Sequence, residues 1–266
     1  MAINGATRLY AIVGDPIAQV RSPEVFTERF AALGANAILV PMHVRDAQFE
    51  AVFPALLDLG NLDGLLVTVP FKARALRYAT RVGKTAGCIG ALNALRREAD
   101  GTWTGDMFDG TGFVRGLEAK GGHAQGRRVL LFGAGGAGSA IACALAEAGV
   151  QRIDFVDPLA DRAQGLVDRL RAAFPACGFT VAKGRASDID MVVNASTVGM
   201  RSGDGLPGDV GTLARGTIVG DVIISDAPTP LMRLAADAGC TWVNGRDMHT
   251  GQSGAIVEFF APGGRR

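Results

Sequence analysis

The sequence predicts an α/β protein in two parts, and three observations carry that prediction. Short apolar runs alternate with helix-like stretches along the whole chain. The alternation pauses at the Gly-rich stretch KGGHAQG (120–126). Beyond that break it restarts as an apolar strand, a G-x-G-x-x-G turn and an alanine-rich helix. At 266 residues, 48% of them hydrophobic, the chain holds enough material for one large core or two medium ones.

Taken in order, RLYAIVG (8–14) reads as a strand, followed by a helix from Ser22 to about Leu33 closed by Gly34. AILVPMHV (37–44) is a second strand. DAQFEAVFPALLDLG (46–60) has helical apolar spacing, with Pro54 expected to kink or split it. GLLVTVP (64–70) is a third strand and CIGALNALRR (88–97) a fourth, with the Asp-Gly of DGTWTGD (100–106) turning a hairpin to a short partner. A helix from about Asp109 to Lys120 leads to the break. After it come the strand RRVLLFG (127–133), the helix AGGAGSAIACALAEAG (134–149), the strand RIDFVD (152–157) and the helix LADRAQGLVDRLRAAF (159–174). Strands are predicted at 190–196 and 217–224, a helix at 229–239, and a final helix from roughly Arg246 to Phe260.

Bulk properties set aside several functions. Net charge is +1, so no global field favours nucleic acid or an anionic membrane. The longest apolar stretches are far too short to span a bilayer, and the N-terminus reads as lacking a signal peptide, which predicts a cytoplasmic protein. Cys88, Cys143, Cys177 and Cys240 are scattered without a C-x-x-C pair, as small residues in a reducing compartment would be. His43, His123 and His249 show no ligand spacing, so no metal site is expected.

The glycine turn is the first motif with chemistry. Gly133, Gly135 and Gly138, with Ala134, Gly136 and Ala137 between them, follow a strand and open a helix. In that setting the first glycine permits the tight turn and the second lets the backbone approach a pyrophosphate. The third lets helix and strand pack, while the helix N-terminus supplies oriented N–H donors. Asp157 ends the next strand, where a carboxylate accepts hydrogen bonds from a ribose and repels a 2′-phosphate. The expected cofactor is therefore NAD, with NADP less favoured. The plainer alternative is an ordinary α/β domain whose Asp157 caps a helix before Pro158.

A second motif is VTVPFK (67–72). Only four of the 27 basic side chains are lysines, and one, Lys72, stands directly behind a run expected to be a buried strand. A lysine amine, unlike a guanidinium, can release its proton when desolvated. Alone, Lys72 reads equally as a surface lysine lying along apolar neighbours.

Together, GDPIAQVRSP (14–23), VTVPFK (67–72), IGALNAL (89–95), GDMFDG (105–110), GAGGAG (133–138), VNAS (193–196), TPL (229–231) and GQSGA (251–255) resemble the shikimate/quinate dehydrogenase family across almost the whole chain. The resemblance implies an N-terminal substrate domain (1–109 plus 241–266), a Rossmann NAD-binding domain (110–240), and a last helix returning to the first domain. The active site would lie in the cleft between them. It implies that Lys72 and Asp109 form the catalytic pair and that Thr68, Asn93 and Gln252 contact the substrate. Asn194 and Ser196 of VNAS are assigned to the cofactor. Ser22 matches a serine that holds the substrate carboxylate; locally it also reads as a helix N-cap before Pro23.

Departures from the family pattern point to the substrate. Val20 stands where the family has its first carboxylate-binding serine, with Gln19 in place of the usual histidine before it. Leu66 replaces an asparagine, Met107 and Phe108 replace an Asn-Thr pair, and Ile224 replaces a tyrosine. DPL (157–159) replaces the NRT that holds an NADP phosphate. Apolar groups at Val20, Leu66 and Ile224 leave some hydroxyls of shikimate without partners, at roughly 1.5–3 kcal/mol for each lost hydrogen bond to a charged group. The expected function is thus NAD-dependent, reversible oxidation of a secondary alcohol on a cyclic hydroxy acid other than shikimate. The expected partner is that small molecule alone, with no nucleic acid or membrane, and the expected state is monomer or homodimer. The competing readings are a genuine shikimate or quinate dehydrogenase, a methylenetetrahydrofolate dehydrogenase-like enzyme, and a non-catalytic NAD-binding protein.

Overall fold

Each apolar run of the sequence finds a place in one of two sheets. A computed structural model describes residues 3–184 and 188–261. One compact unit runs to Phe108 and includes the stretch from Ser253; the other is Asp109–Gln252.

The first unit contains β1 (Arg8–Gly14), α1 (Ser22–Ala32), β2 (Ala37–His43), α2 (Phe49–Leu57), β3 (Leu62–Val67), α3 (Lys72–Ala75), β4 (Arg81–Val82), α4 (Lys84–Ile89), β5 (Ala94–Arg97) and β6 (Trp103–Asp106). Its strands are ordered β2-β1-β3-β5-β6-β4. The central strand β1 is parallel to both β2 and β3, whereas β5 runs antiparallel to β3 and β6. Such a strand is covered on both faces, which is why RLYAIVG is an unbroken apolar run rather than an alternating one. Tyr10 of β1 packs against Phe30 of α1 at 4.6 Å and against Phe260 at 4.9 Å. With Ile12, Phe26 and Leu39 these form the core of this unit.

The second unit contains α5 (Asp109–Ala119), β7 (Arg128–Phe132), α6 (Gly136–Glu147), β8 (Arg152–Val156), α7 (Ala160–Ala173), β9 (Gly178–Val181), β10 (Met191–Asn194), β11 (Ile218–Asp221), α8 (Pro230–Asp237), β12 (Thr241–Asn244) and the first half of α9 (Gly245–Phe260). Its sheet is ordered β12-β11-β10-β7-β8-β9 and every pairing is parallel. Strand order reverses between β7 and β10, and in open parallel sheets such a switch point is where ligands sit, outside the carboxyl ends of the strands. Leu130, Phe132, Val192, Val219 and Leu231 fill its core.

The structure departs from the sequence reading in several places. The stretch 88–97 is not one strand: α4 ends at Ile89, Gly90 turns left-handed at φ 75°, and pairing starts only at Ala94. Pro54 does not split its helix; the segment opens as a 3₁₀ turn at Asp46–Gln48 and is α-helical through Pro54. Short strands β4, β9 and β12 were not foreseen. Residues 241–252, grouped from sequence with the first domain, lie in the second unit, where β12 pairs with β11. Among the described residues no helix is long and apolar enough to cross a membrane, and no cluster of three His, Cys, Asp or Glu is placed to hold a metal ion.

Candidate functional site

The glycine turn joins β7 to α6 at the switch point. Gly133 has φ 97°, a left-handed conformation that favours glycine, and its N–H donates to the carbonyl of Val156 at 2.9 Å. A Cβ on Gly138 would lie 2.0 Å from the Gly133 carbonyl oxygen, so only glycine lets α6 start this close to β7. Gly135 caps α6, and a Cβ on either Gly135 or Gly136 would meet nothing within 4 Å. Ala134 is buried and Ala137 half-buried. The turn is thus closed toward the protein and open at Gly135 and Gly136, a cradle that fits a pyrophosphate under the N-terminus of a twelve-residue helix.

Asp157 follows β8 and sits against this turn. Its side chain is wholly shielded, and its oxygens accept from the Ala134 N–H at 2.7 Å, the Leu159 N–H at 2.8 Å and the Arg162 guanidinium at 2.7 and 2.8 Å. Burial pushes the carboxyl pKa upward, but these donors outweigh it and hold the group below the ordinary carboxylate range. Asp157 is therefore ionised at neutral pH. Because Leu159 precedes α7, the same carboxylate also orders the start of that helix. Leu159, rather than Asp157, holds the N-cap position of α7, without a side-chain capping bond. A ribose diol reaching this shielded carboxylate would have to displace Arg162, the only side chain among its three donors.

Asn194 and Ser196, which the sequence reading assigns to the cofactor, hydrogen-bond to each other. Asn194 is 1% exposed. Its amide oxygen accepts from the Ser196 N–H and hydroxyl, and its NH₂ donates to the Val198 carbonyl and to Asp221. These groups shape the loop after β10, and that loop borders the turn: a Cβ on Gly133 would lie 2.8 Å from the Ala195 carbonyl oxygen.

In the first unit, Thr68 leaves β3 with its N–H on the Val13 carbonyl at 3.0 Å, the Val69–Pro70 peptide is cis, and Lys72 opens α3 half-buried. Gly14 is required beside Thr68, whose γ-methyl would lie 2.4 Å from a Cβ there. The turn is braced from below: Phe71 stacks on Phe49 at 4.3 Å, and the Arg74 guanidinium lies 4.5 Å from the Phe49 ring while pairing with Asp46 and Glu50. Asn93 is 3% exposed, and its amide oxygen accepts from the Phe108 N–H at 2.9 Å. Ser22 is the first helical residue rather than the cap. Arg21 holds the cap position, without a side-chain capping bond, so the cap reading is corrected. Val20 packs against the Tyr10–Phe260 core, and Leu66, 5% exposed, is part of it.

In the second unit Asp109 opens α5 and is 8% exposed. Its carboxylate accepts from the Gln252 side-chain amide at 2.6 Å, bringing together two residues 143 positions apart in the sequence. Glycines make this possible, since a Cβ on Gly112 would lie 2.5 Å from the Met248 carbonyl oxygen and 2.7 Å from the Gln252 Cβ. Ile224 is 61% exposed, with its side chain over Gly245. Sequence reasoning overlooked Arg162, Arg74 and Asp221. Arg162 was within reach of it, because the first turn of a helix lies beside the end of the preceding strand.

Comparison with known proteins now adds to this geometry. Residues 12–95 match the family model for the shikimate dehydrogenase substrate binding domain. A shikimate dehydrogenase (NADP(+)) of Rubrobacter xylanophilus is 36% identical over 253 residues, which are 92% of this chain and 88% of that protein. Among solved structures, quinate dehydrogenase from Corynebacterium glutamicum in complex with NAD superposes with TM-score 0.86 at 30% identity, covering 96% of this chain and 93% of that one. Ligand-free 5-ketofructose reductase of Gluconobacter sp. strain CHM43 superposes with TM-score 0.87 at 25% identity, covering 96% and 92%.

Proposed function

The chain belongs to the shikimate/quinate dehydrogenase family of NAD(P)-dependent oxidoreductases acting on CH–OH groups, and from that premise we propose that it reversibly oxidises a secondary alcohol of a cyclic hydroxy acid other than shikimate, with NAD. The observation that carries the substrate proposal is the placement of Val20 and Leu66. Both belong to the apolar packing around Tyr10 and Phe260, so neither position presents a hydrogen-bonding group to a ligand. A substrate with the full hydroxyl and carboxylate set of shikimate would leave polar groups unpaired there. Ser22, Thr68 and Asn93 remain to orient a less polar ring.

The residues divide the work as follows. Lys72 takes the hydroxyl proton during oxidation and returns it during reduction. Asp109, held by Gln252, is the second residue of the proposed catalytic pair. The Gly133–Gly138 turn seats the pyrophosphate, and Asp157 accepts from the adenosine ribose. A bound NAD supplies the hydride acceptor. Preference for NAD is supported by the ionised Asp157, which would face a 2′-phosphate with like charge. The quinate dehydrogenase neighbour was solved with NAD, whereas the Rubrobacter relative is named for NADP.

The deciding experiment is a cofactor-reduction screen with NAD and NADP against shikimate, quinate, aminoshikimate and a panel of cyclic and aliphatic hydroxy acids. The proposal expects the highest kcat/KM with NAD and a substrate other than shikimate. If shikimate with NADP gives the highest value, both the substrate and cofactor assignments are wrong.

A further inference from the structure

We infer that Asp221 is a positioning residue for the dinucleotide site, holding in place the loop that walls the glycine turn. The inference rests on the reading of that turn as the cofactor cradle. Asp221 ends β11, is 1% exposed, and lies in register with Asn194 at the end of β10. Its Oδ1 accepts from the Asn194 amide at 3.1 Å and from the Ile223 N–H at 3.1 Å; its Oδ2 accepts from the Thr229 hydroxyl at 2.6 Å. Thr229 in turn caps α8, taking the Met232 N–H on its hydroxyl oxygen at 3.2 Å.

From Asp221 the chain of contacts runs outward. The Asn194 amide, oriented by Asp221, gathers Ser196 and Val198 into a tight turn. The backbone of that turn passes within 3.0 Å of the Cβ position of Gly133, at Ser196 N and the Ala195 carbonyl. One side of the cradle is therefore set by a carboxylate that is itself shielded from any ligand. A buried polar network of this kind is stiff while every member is satisfied and loosens when one is not. Replacing Asp221 by asparagine turns one acceptor oxygen into a donor. Either the Thr229 hydroxyl then loses its acceptor, or the Asn194 amide and the Ile223 N–H face another donor, and the network that anchors the loop weakens without any change in volume.

The test compares Asp221→Asn, Thr229→Val and Thr229→Ser with the wild-type protein. NAD dissociation constants are measured by fluorescence titration, KM for NAD and kcat by steady-state kinetics, and Tm by thermal melting. Asp221→Asn and Thr229→Val should weaken NAD binding about tenfold, as expected when a buried acceptor is lost. KM for NAD should rise in step, while kcat at saturating NAD stays near wild type. Thr229→Ser, which keeps the hydroxyl, should bind within about twofold of wild type. If Asp221→Asn does not fold, Thr229→Val decides. A folded variant whose Tm falls while its NAD affinity holds would overturn the inference, because the network would then serve stability alone. A wild-type protein that binds neither NAD nor NADP would instead overturn the reading of the cradle.

Discussion

Two glycines of one turn make opposite predictions, and together they test the cofactor cradle. A methyl group on Gly138 would stand 2.0 Å from the Gly133 carbonyl oxygen. A carbon and a carbonyl oxygen in contact keep roughly 3.3 Å apart, so the turn must open by more than about 1 Å. Overpacking of this sort costs about 1–3 kcal/mol, and each kcal/mol lowers Tm by roughly 2–4 °C in a chain of this size class. A methyl group on Gly135 meets nothing within 4 Å, and the backbone there (φ −78°, ψ −167°) suits alanine. Its cost to the fold is confined to the weaker capping by alanine, under about 1 kcal/mol. That methyl would project from the face a pyrophosphate approaches. A steric cost of about 1–3 kcal/mol there weakens binding roughly 5- to 150-fold. Thermal melting and NAD titration of Gly135→Ala and Gly138→Ala separate the two effects. Gly135→Ala should melt near wild type and bind NAD poorly, whereas Gly138→Ala should melt several degrees lower. Undiminished NAD affinity in Gly135→Ala would refute the claim that this open face receives the cofactor.

Three other perturbations address the remaining residues. Lys72→Met should lower kcat by at least about 100-fold, the range for losing a general base, with NAD affinity unchanged; a loss below tenfold would remove Lys72 from that role. Gln252→Ala strips Asp109 of a 2.6 Å donor and should lower kcat/KM about tenfold, which steady-state kinetics will show. Arg162→Ala concerns acid stability. The Asp157 carboxyl titrates lower in the folded chain than the ordinary value, so its stabilisation is present above about pH 4 and is lost as pH falls through the folded-state pKa. Without Arg162 that pKa rises and acid unfolding should begin at higher pH. The effect should stay below about 1 kcal/mol because the guanidinium is half exposed.

What could be read from the sequence follows the reach of local signals. The strand–turn–helix around Gly133 was legible because each glycine meets a separate steric demand, and the β5–β6 hairpin because Asp100-Gly101 marks its turn, with Gly101 at φ 80°. CIGALNALRR misled because apolar content alone does not separate a short helix from a strand; Gly90, inside the run, was the missed break. TWVN (241–244) is only four residues long and gains strand geometry solely from pairing with β11. Asp221 acts through partners whose proximity depends on sheet order, which no window of sequence displays. Asn194 was assigned to the cofactor through the resemblance, yet its amide bonds to Asp221 and the Val198 carbonyl, and side-chain direction at a strand end is set by tertiary partners.

The seating of Phe260 and Ile256 among Tyr10, Phe26 and Phe30 has a bearing on biosynthesis. A ribosome delivers β1 and α1 well before α9, which carries the aromatic residue that completes their cluster. The nascent chain must therefore carry an unfinished apolar face until α9 is made. Residues 109–252, whose own sheet needs nothing from either terminus, meanwhile have every strand in hand. Completion of the first unit thus waits on residues that are made after the second unit.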